Sequence, residues 1–345
     1  MSSSTPASAS IISPPIQPDD LSEEEANRYD RQMRLWGIEA QQRMRNATIL
    51  VVRLRGVATE AVKNMVLAGI GRLILVDGET VAEEDLGAGF FFRDTDVGKN
   101  RLDVAKARIE SLNPLVTVET IPGSFALEKE RLESLVEAVD LVCVSDMDRD
   151  ALIRINEVCR SRKKPFYAGG TYGLLGYIFC DLLNHEHLIS DRLQGKDGVK
   201  TITRVSYPSL QTALRHRWTG LSKRQTKEVN PNIVFTILAL WQYQSVHDGQ
   251  LPTDVSCTAE LENLANSLLM EANVNKQAIT SVSRDVLESA VTTAMHEFSP
   301  VCAIIGGFVA QDILKALGGR DPPIANFFTF DGNVGGGTVC RLNMP

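Results

Sequence analysis

None of the six cysteines (Cys143, Cys159, Cys180, Cys257, Cys302, Cys340) is paired with another at CxxC spacing. That absence removes the commonest arrangement for structural zinc. Most of these cysteines fall in apolar strand- or helix-like runs, where a free thiol packs as a small hydrophobe. The chain also lacks a basic excess. Its 36 Lys and Arg against 43 Asp and Glu give a formal charge of −7, which argues against a nucleic-acid binder with its basic face. The aromatics Phe166, Tyr167 and Tyr172 sit in strand-like segments and are not interleaved with basic residues. The longest apolar runs, Ile233–Trp241 and Val301–Ala310, are too short to cross a bilayer. No signal peptide stands in front, which predicts an intracellular, reducing compartment. A hydrophobic fraction of 43% and a charged fraction of 23% over 345 residues describe an ordinary soluble globular chain, with core enough for one large domain or two.

The most informative stretch runs from Thr48 to Arg101 and opens TILVVRLRGVATEAVKNMVLAGIGRLILVDGETV. Ile49–Val52 predicts a buried strand, Ala58–Ala68 carries apolar residues at helical spacing, and Leu73–Val76 predicts a second strand ending at Asp77. Strand, tight turn, helix, strand, acid is the opening unit of an α/β, doubly wound, Rossmann-like sheet that binds nucleotides. The turn itself is altered. Arg53 and Arg55 stand where glycines would allow the bend and the approach of phosphate, while Gly56 and Ala58 still suit close helix–strand packing. Two readings follow: a nucleotide fold that has lost its ligand, or a turn whose arginines grip phosphate directly.

Residues 1–20 are rich in Ser and Pro and predict a disordered arm. Ser22 and Glu25 have capping-box spacing. Arg28, Arg31 and Arg34 then recur every three residues, one helical face, with Tyr29, Met33 and Trp36 as anchors. That face is either a solvated basic surface paired with acids such as Asp30, or a guanidinium held out to a polyphosphate. The sheet domain is expected over 21–207 and again over 299–345, flanking a helical insertion at 208–298. Within it, Pro165–Gly173 and Leu175–Leu183 predict strands, and Glu186–Lys200, with Gly195 and Gly198, predicts a mobile surface loop. His185 and His187 have a metal-like spacing but no third ligand in view, which favours a solvated loop.

In the insertion, Ile233–Tyr243 predicts a buried helix behind Pro231, followed by amphipathic helices at Glu260–Ala272 and Arg284–His296. The basic run Arg215–Lys227 is expected to be a solvated face, an acidic partner being the alternative. Cys257, beside Thr258 and ahead of a helix, has a nucleophile-like setting, yet Asp254 and Glu260 oppose thiolate formation, so a structural role is expected. Ser299-Pro300 is expected to cap an apolar helix ending near Gly318. The pair Gly306-Gly307 inside it predicts a close approach of the sheet or of a partner. Asn326–Phe330 and Thr338–Leu342 predict late strands.

The segments YDRQMRLWG, EAVKNMVLAGIGRLILVDGETV, Phe90–Arg93, Val97–Arg101, Leu112-Asn-Pro114, Cys143–Asp148, SPVCAIIGGFVAQ, Arg320–Pro323 and NFFTFDG resemble the activating enzymes for ubiquitin-like proteins. These descend from the ThiF/MoeB-like bacterial adenylating enzymes of sulfur-carrier pathways. The closing motifs and the length are most similar to the small-subunit branch that serves SUMO. Active members have a second Asp, an Asn and an Asn-Arg-Gln triplet after the strand-ending acid, and then a lysine. This chain keeps Asp77 but offers Glu79, Asp85, Gly87, Ala88, Gly89 and Arg101. The resemblance therefore implies an inactive adenylation fold with no intact cofactor or metal site, Asp77 and Asp148 remaining as remnants. It implies a heterodimer with the large catalytic-cysteine subunit of a SUMO-activating enzyme, which binds ATP and Mg, adenylates the C-terminal glycine of SUMO and forms the thioester. It assigns Arg31, with Arg34 as a weaker candidate, to the ATP phosphates in trans. A nuclear location is implied, the cytoplasm being the alternative. A self-sufficient ThiF/MoeB-like adenylating enzyme with an atypical phosphate loop and, on the strand–turn–helix–Asp77 unit alone, a nicotinamide-dependent oxidoreductase are the competing readings.

Overall fold

The computed structural model describes residues 22–123, 128–190 and 200–344. The expected arm at 1–20 and the loop glycines Gly195 and Gly198 lie outside them. The chain opens with α1 (Glu23–Trp36) and α2 (Ile38–Asn46), then β1 (Thr48–Val52), α3 (Gly56–Ala68), β2 (Arg72–Asp77), α4 (Arg101–Leu112), β3 (Thr117–Pro122), α5 (Lys129–Glu137), β4 (Leu141–Ser145) and α6 (Arg149–Ser161). There follow β5 (Phe166–Tyr172), β6 (Leu175–Asp181), β7 (Asn184–Ser190), β8 (Lys200–Ser206), α7 (Leu210–Ala213), α8 (Lys223–Glu228), α9 (Pro231–Val246), α10 (Thr258–Glu271) and α11 (Arg284–Thr293). The last elements are α12 (Ser299–Gly318), β9 (Phe327–Asp331) and β10 (Gly336–Cys340).

One eight-stranded sheet runs β10-β9-β6-β5-β4-β1-β2-β3. The half from β5 to β3 is parallel, and β6, β9 and β10 extend it antiparallel. Because helices cover both faces, β1 is buried along its whole length, which explains its unbroken apolar run. Its side chains still alternate. Ile49 and Val51, with Leu73 and Leu75 of β2, pack under α3, α4 and α12, while Leu50, Val52, Ile74 and Val76 join a core with α6, α9 and α10. Within that second core Trp241 of α9 meets Tyr177 edge-on at 5.0 Å and Phe327 at 6.1 Å, fastening the helical region to the sheet.

Two expectations change. The segment from Glu186 is not a loop from its start, because β7 pairs antiparallel with β8 from Asn184↔Ser206 outward. Glu186 and Arg204 face each other there with Nε–Oε1 at 2.8 Å. His185 and His187 are two apart on a strand, so they share a face and their rings stack at 5.8 Å. Among the described residues, no group of three His, Cys, Asp or Glu side chains suits a metal ion. The second change concerns Val301–Ala310, which belongs to a longer helix. α12, at 20 residues, is long and apolar enough to cross a membrane by length and composition, yet it buries Ile305, Val309 and Ile313 in the core. Its cap residue is Phe298, with no side-chain bond, and Pro300 sits in the first turn. At Gly306 a Cβ would lie 2.6 Å from the Val57 carbonyl oxygen and 2.6 Å from Glu60 Cβ, whereas one at Gly307 would meet nothing within 4 Å. At Gly306 the close approach is therefore to α3 and not to the sheet.

Candidate functional site

β1 has β2 on one side and β4 on the other, so the carboxyl ends of these strands form the switch point where such sheets bind ligands. The turn leaving β1 bends sharply into α3. Arg53 holds a left-handed φ of +68°, a conformation that costs an L residue about 1–2 kcal/mol. Two hydrogen bonds hold it there: its N–H donates to the Val76 carbonyl at 2.8 Å, and its carbonyl accepts from Ser145 Oγ at 2.7 Å. Gly56 survives because a Cβ there would be 2.9 Å from Cys302 Sγ and 3.1 Å from Ala88 Cβ. Ala58 is buried behind it.

Cations and carboxylates pair around this turn, but Arg53 Nε, Arg55 Nε, Asp146 Oδ2 and Glu297 Oε2 are buried with no hydrogen-bond partner among the described residues. The Arg53 guanidinium donates to the Asp146 carbonyl and lies 3.3 Å from Glu79. Arg55 Nε lies 3.6 Å from Glu297 Oε2, and the other Glu297 oxygen accepts the Gly56 N–H at 3.1 Å. Arg101 contacts Asp85 at 2.8 Å, Glu79 at 2.6 Å and Asp77 at 3.6 Å. Asp77, expected as a remnant able to reach a ribose, accepts the Leu54 N–H at 2.7 Å and the Glu79 N–H at 2.7 Å. Asp146, itself at φ +49°, accepts the Thr171 N–H at 3.0 Å.

This cluster has more carboxylates than cations, and the titrations reflect it. Burial, reinforced by Asp146 and opposed by Arg55, pushes Glu297 up to about 7. Burial also raises Asp146 against the pull of Arg55. Glu79 moves down, because Arg53 and Arg101 outweigh its desolvation. Arg101 is held more firmly protonated than usual, since Asp85 and Asp77 outweigh the cost of burial.

The first N–H of α3 is already occupied at this turn. The anion site at the start of a helix rests on free N–H groups, and here the Glu297 carboxylate takes that one. A cavity of about 420 Å³ does remain beside it, lined by Val52, Arg53, Val76, Asp77, Gly78, Glu79, Gly123 and Met147. Asp148 caps α6, its Oδ1 accepting the Ala151 N–H at 2.9 Å. Gly89 leaves room for the Phe92 ring, which would lie 2.2 Å from a Cβ, and Gly87 is open.

Arg31 is not brought to this turn. The residues around it tie α1 to the opposite, carboxyl end of α3: Gln32 Nε2 donates to the Leu67 carbonyl at 3.3 Å, and the buried Tyr29 packs on Gly69. On α1, Arg28 pairs with Glu24 at 3.8 Å and Arg34 with Asp30 at 3.0 Å. Arg31 is exposed and has no hydrogen bond or ion pair among the described residues. At Cys257 the Tyr243 hydroxyl donates to Sγ at 3.5 Å and draws the thiol below its usual value despite Asp254.

Sequence reasoning missed Glu297, Asp146 and Asn113. Glu297 lies 241 positions from the N–H it binds, so no local pattern could flag it. Asp146 and Asn113 lie inside segments already singled out, but neither had been given a role.

A model of the ThiF family matches residues 29–344. SUMO-activating enzyme subunit 1 of Rattus norvegicus is 34% identical over 339 residues, covering 92% of this chain and 95% of that protein. The Homo sapiens protein of the same name is 33% identical over 339 residues, with 92% and 95% covered. Among solved structures, PaaA superposes with a TM-score of 0.58 at 18% identity, covering 95% of this chain and 76% of that one. E. coli MccB with succinimide gives 0.54 at 14%, covering 92% and 72%. Both share the adenylation fold.

Proposed function

The chain belongs to the ThiF family, in the branch of SUMO-activating enzyme subunit 1 proteins, and from that premise we propose that it is the small, non-catalytic half of a heterodimeric SUMO-activating enzyme. In this reading the large subunit holds ATP and magnesium, carries the cysteine and adenylates the C-terminus of SUMO. Arg31 reaches across the interface to the terminal phosphates, and the pair works in the nucleus. One contrast supports it. The arginines of the chain's own phosphate turn are paired with internal carboxylates at 3.3 and 3.6 Å, while Arg31 stands exposed with no hydrogen bond or ion pair among the described residues. A planar fork presented in trans suits phosphate oxygens whose charge grows during transfer.

The test is SUMO-dependent ATP–pyrophosphate exchange by the co-purified pair. Arg31→Ala should lower exchange by about 10²–10³, with the complex still eluting intact. Unchanged exchange would remove the finger, and failure to co-purify would remove the heterodimer.

The cavity of about 420 Å³ beside Asp77 favours a second reading, a self-sufficient ThiF/MoeB-like adenylating enzyme that seats the nucleoside there. Titrating ATP into the isolated chain separates the two. Stoichiometric binding supports the second reading, and its absence supports the first.

A further inference from the structure

We propose that the carboxyl end of α3 is a mount that sets the direction of Arg31, with Tyr29, Gln32 and Asn113 as positioning residues; this rests on the finger role of Arg31 given above. The last carbonyls of a helix have no partner within it. In α3 the last three accept side-chain amides from three other segments, Val66 O alongside the Gly69 N–H. Val66 O accepts from Asn113 Nδ2 at 2.8 Å, Leu67 O from Gln32 Nε2 at 3.3 Å, and Ala68 O from Gln41 Nε2 at 2.9 Å. Asn113 also donates to the Tyr29 hydroxyl at 2.7 Å. The Tyr29 ring lies over Gly69, where φ is +81° and a Cβ would stand 2.4 Å from the ring. Trp36 Nε1 donates to Gln41 Oε1 at 2.9 Å, and Glu25 binds Arg45 at 2.5 Å.

The anchored residues of α1 are thus Glu25, Tyr29, Gln32 and Trp36, spaced by three and four, a single stripe along the helix. Arg31 projects well away from that stripe, on the face that carries exposed Leu35. Four attachment points along one side leave α1 little freedom to roll or tilt. A guanidinium at the end of a long side chain magnifies either motion, and a misplacement of about 1 Å can cost about 10²-fold in rate.

Double-mutant cycles in the purified heterodimer test this, with kcat and KM for SUMO and ATP measured in exchange. Tyr29→Phe keeps the ring and removes the hydroxyl. Gln32→Ala removes an exposed bond and leaves the core untouched. Together they should lower kcat about tenfold with KM for SUMO unchanged, Gln32→Ala alone contributing a smaller loss of the same kind. In an Arg31→Ala background neither should have any further effect, because the group they aim is gone. Losses that multiply with that of Arg31→Ala would overturn the proposal, as would unchanged kcat in both variants while Arg31→Ala remains defective. In those cases the finger itself would stand. Arg31→Ala with normal exchange would instead remove the finger, and the mount with it.

Discussion

The arginines of the phosphate turn and the arginine of α1 make opposite use of one side chain. Arg53, Arg55 and Arg101 are folded back onto carboxylates of their own chain, and Arg101 keeps only 5% of its side chain exposed. Arg31 is exposed and unbonded among the described residues. A buried cation is fixed by its partners, and its removal leaves them as uncompensated charges. An exposed cation costs the fold little to keep or to lose. The same substitution should therefore damage stability in one place and, on the proposed reading, activity in the other.

The largest effect should come from Arg101→Met, which strands Asp77 and Asp85. We expect about 3–5 kcal/mol lost in urea unfolding, and a near-neutral result would break the comparison from the structural side. Arg31→Ala should do the reverse, with exchange reduced by about 10²–10³ and unfolding free energy within about 0.5 kcal/mol of the parent. Gly306→Ala should cost about 1–3 kcal/mol by pushing α12 off α3, measurable by thermal unfolding. Gly307→Ala, which meets nothing, should be neutral or gain up to about 1 kcal/mol.

The carboxylate that closes the turn also predicts a pH dependence. Glu297 titrates near 7 in the fold and near 4.5 when unfolded, so the folded protein keeps a proton that the unfolded chain releases. Stability should fall as pH rises across that window, by at most about 1.4 kcal/mol per unit, and level off above it. Glu297→Gln should flatten the slope, and an unchanged slope would show that Glu297 does not titrate there.

The parallel core was legible because TILVV and RLILVD are apolar runs of strand length separated by a helical period. Replacement of the turn glycines was legible too, though not that Arg53 would hold a left-handed φ. Its left-handed φ is imposed by Val76 and Ser145, which pattern reading cannot weigh. The β7–β8 ribbon was misread because its polar residues and nearby glycines outweighed the alternation His185, His187 against Thr203, Val205. The acid that closes the turn was invisible for another reason. Glu297 reaches Gly56 only once α12 lies on α3 and β6, a packing no local window contains.

α3 is 13 residues long, on the order of 20 Å, and both its tips are fastened by side chains from remote parts of the chain. A rod pinned at both ends resists tilting, because any tilt stretches bonds at one of them. Re-engineering the turn with glycines to recover phosphate binding would therefore loosen a strut, and the disturbance should surface at the far tip, in the seating of α1.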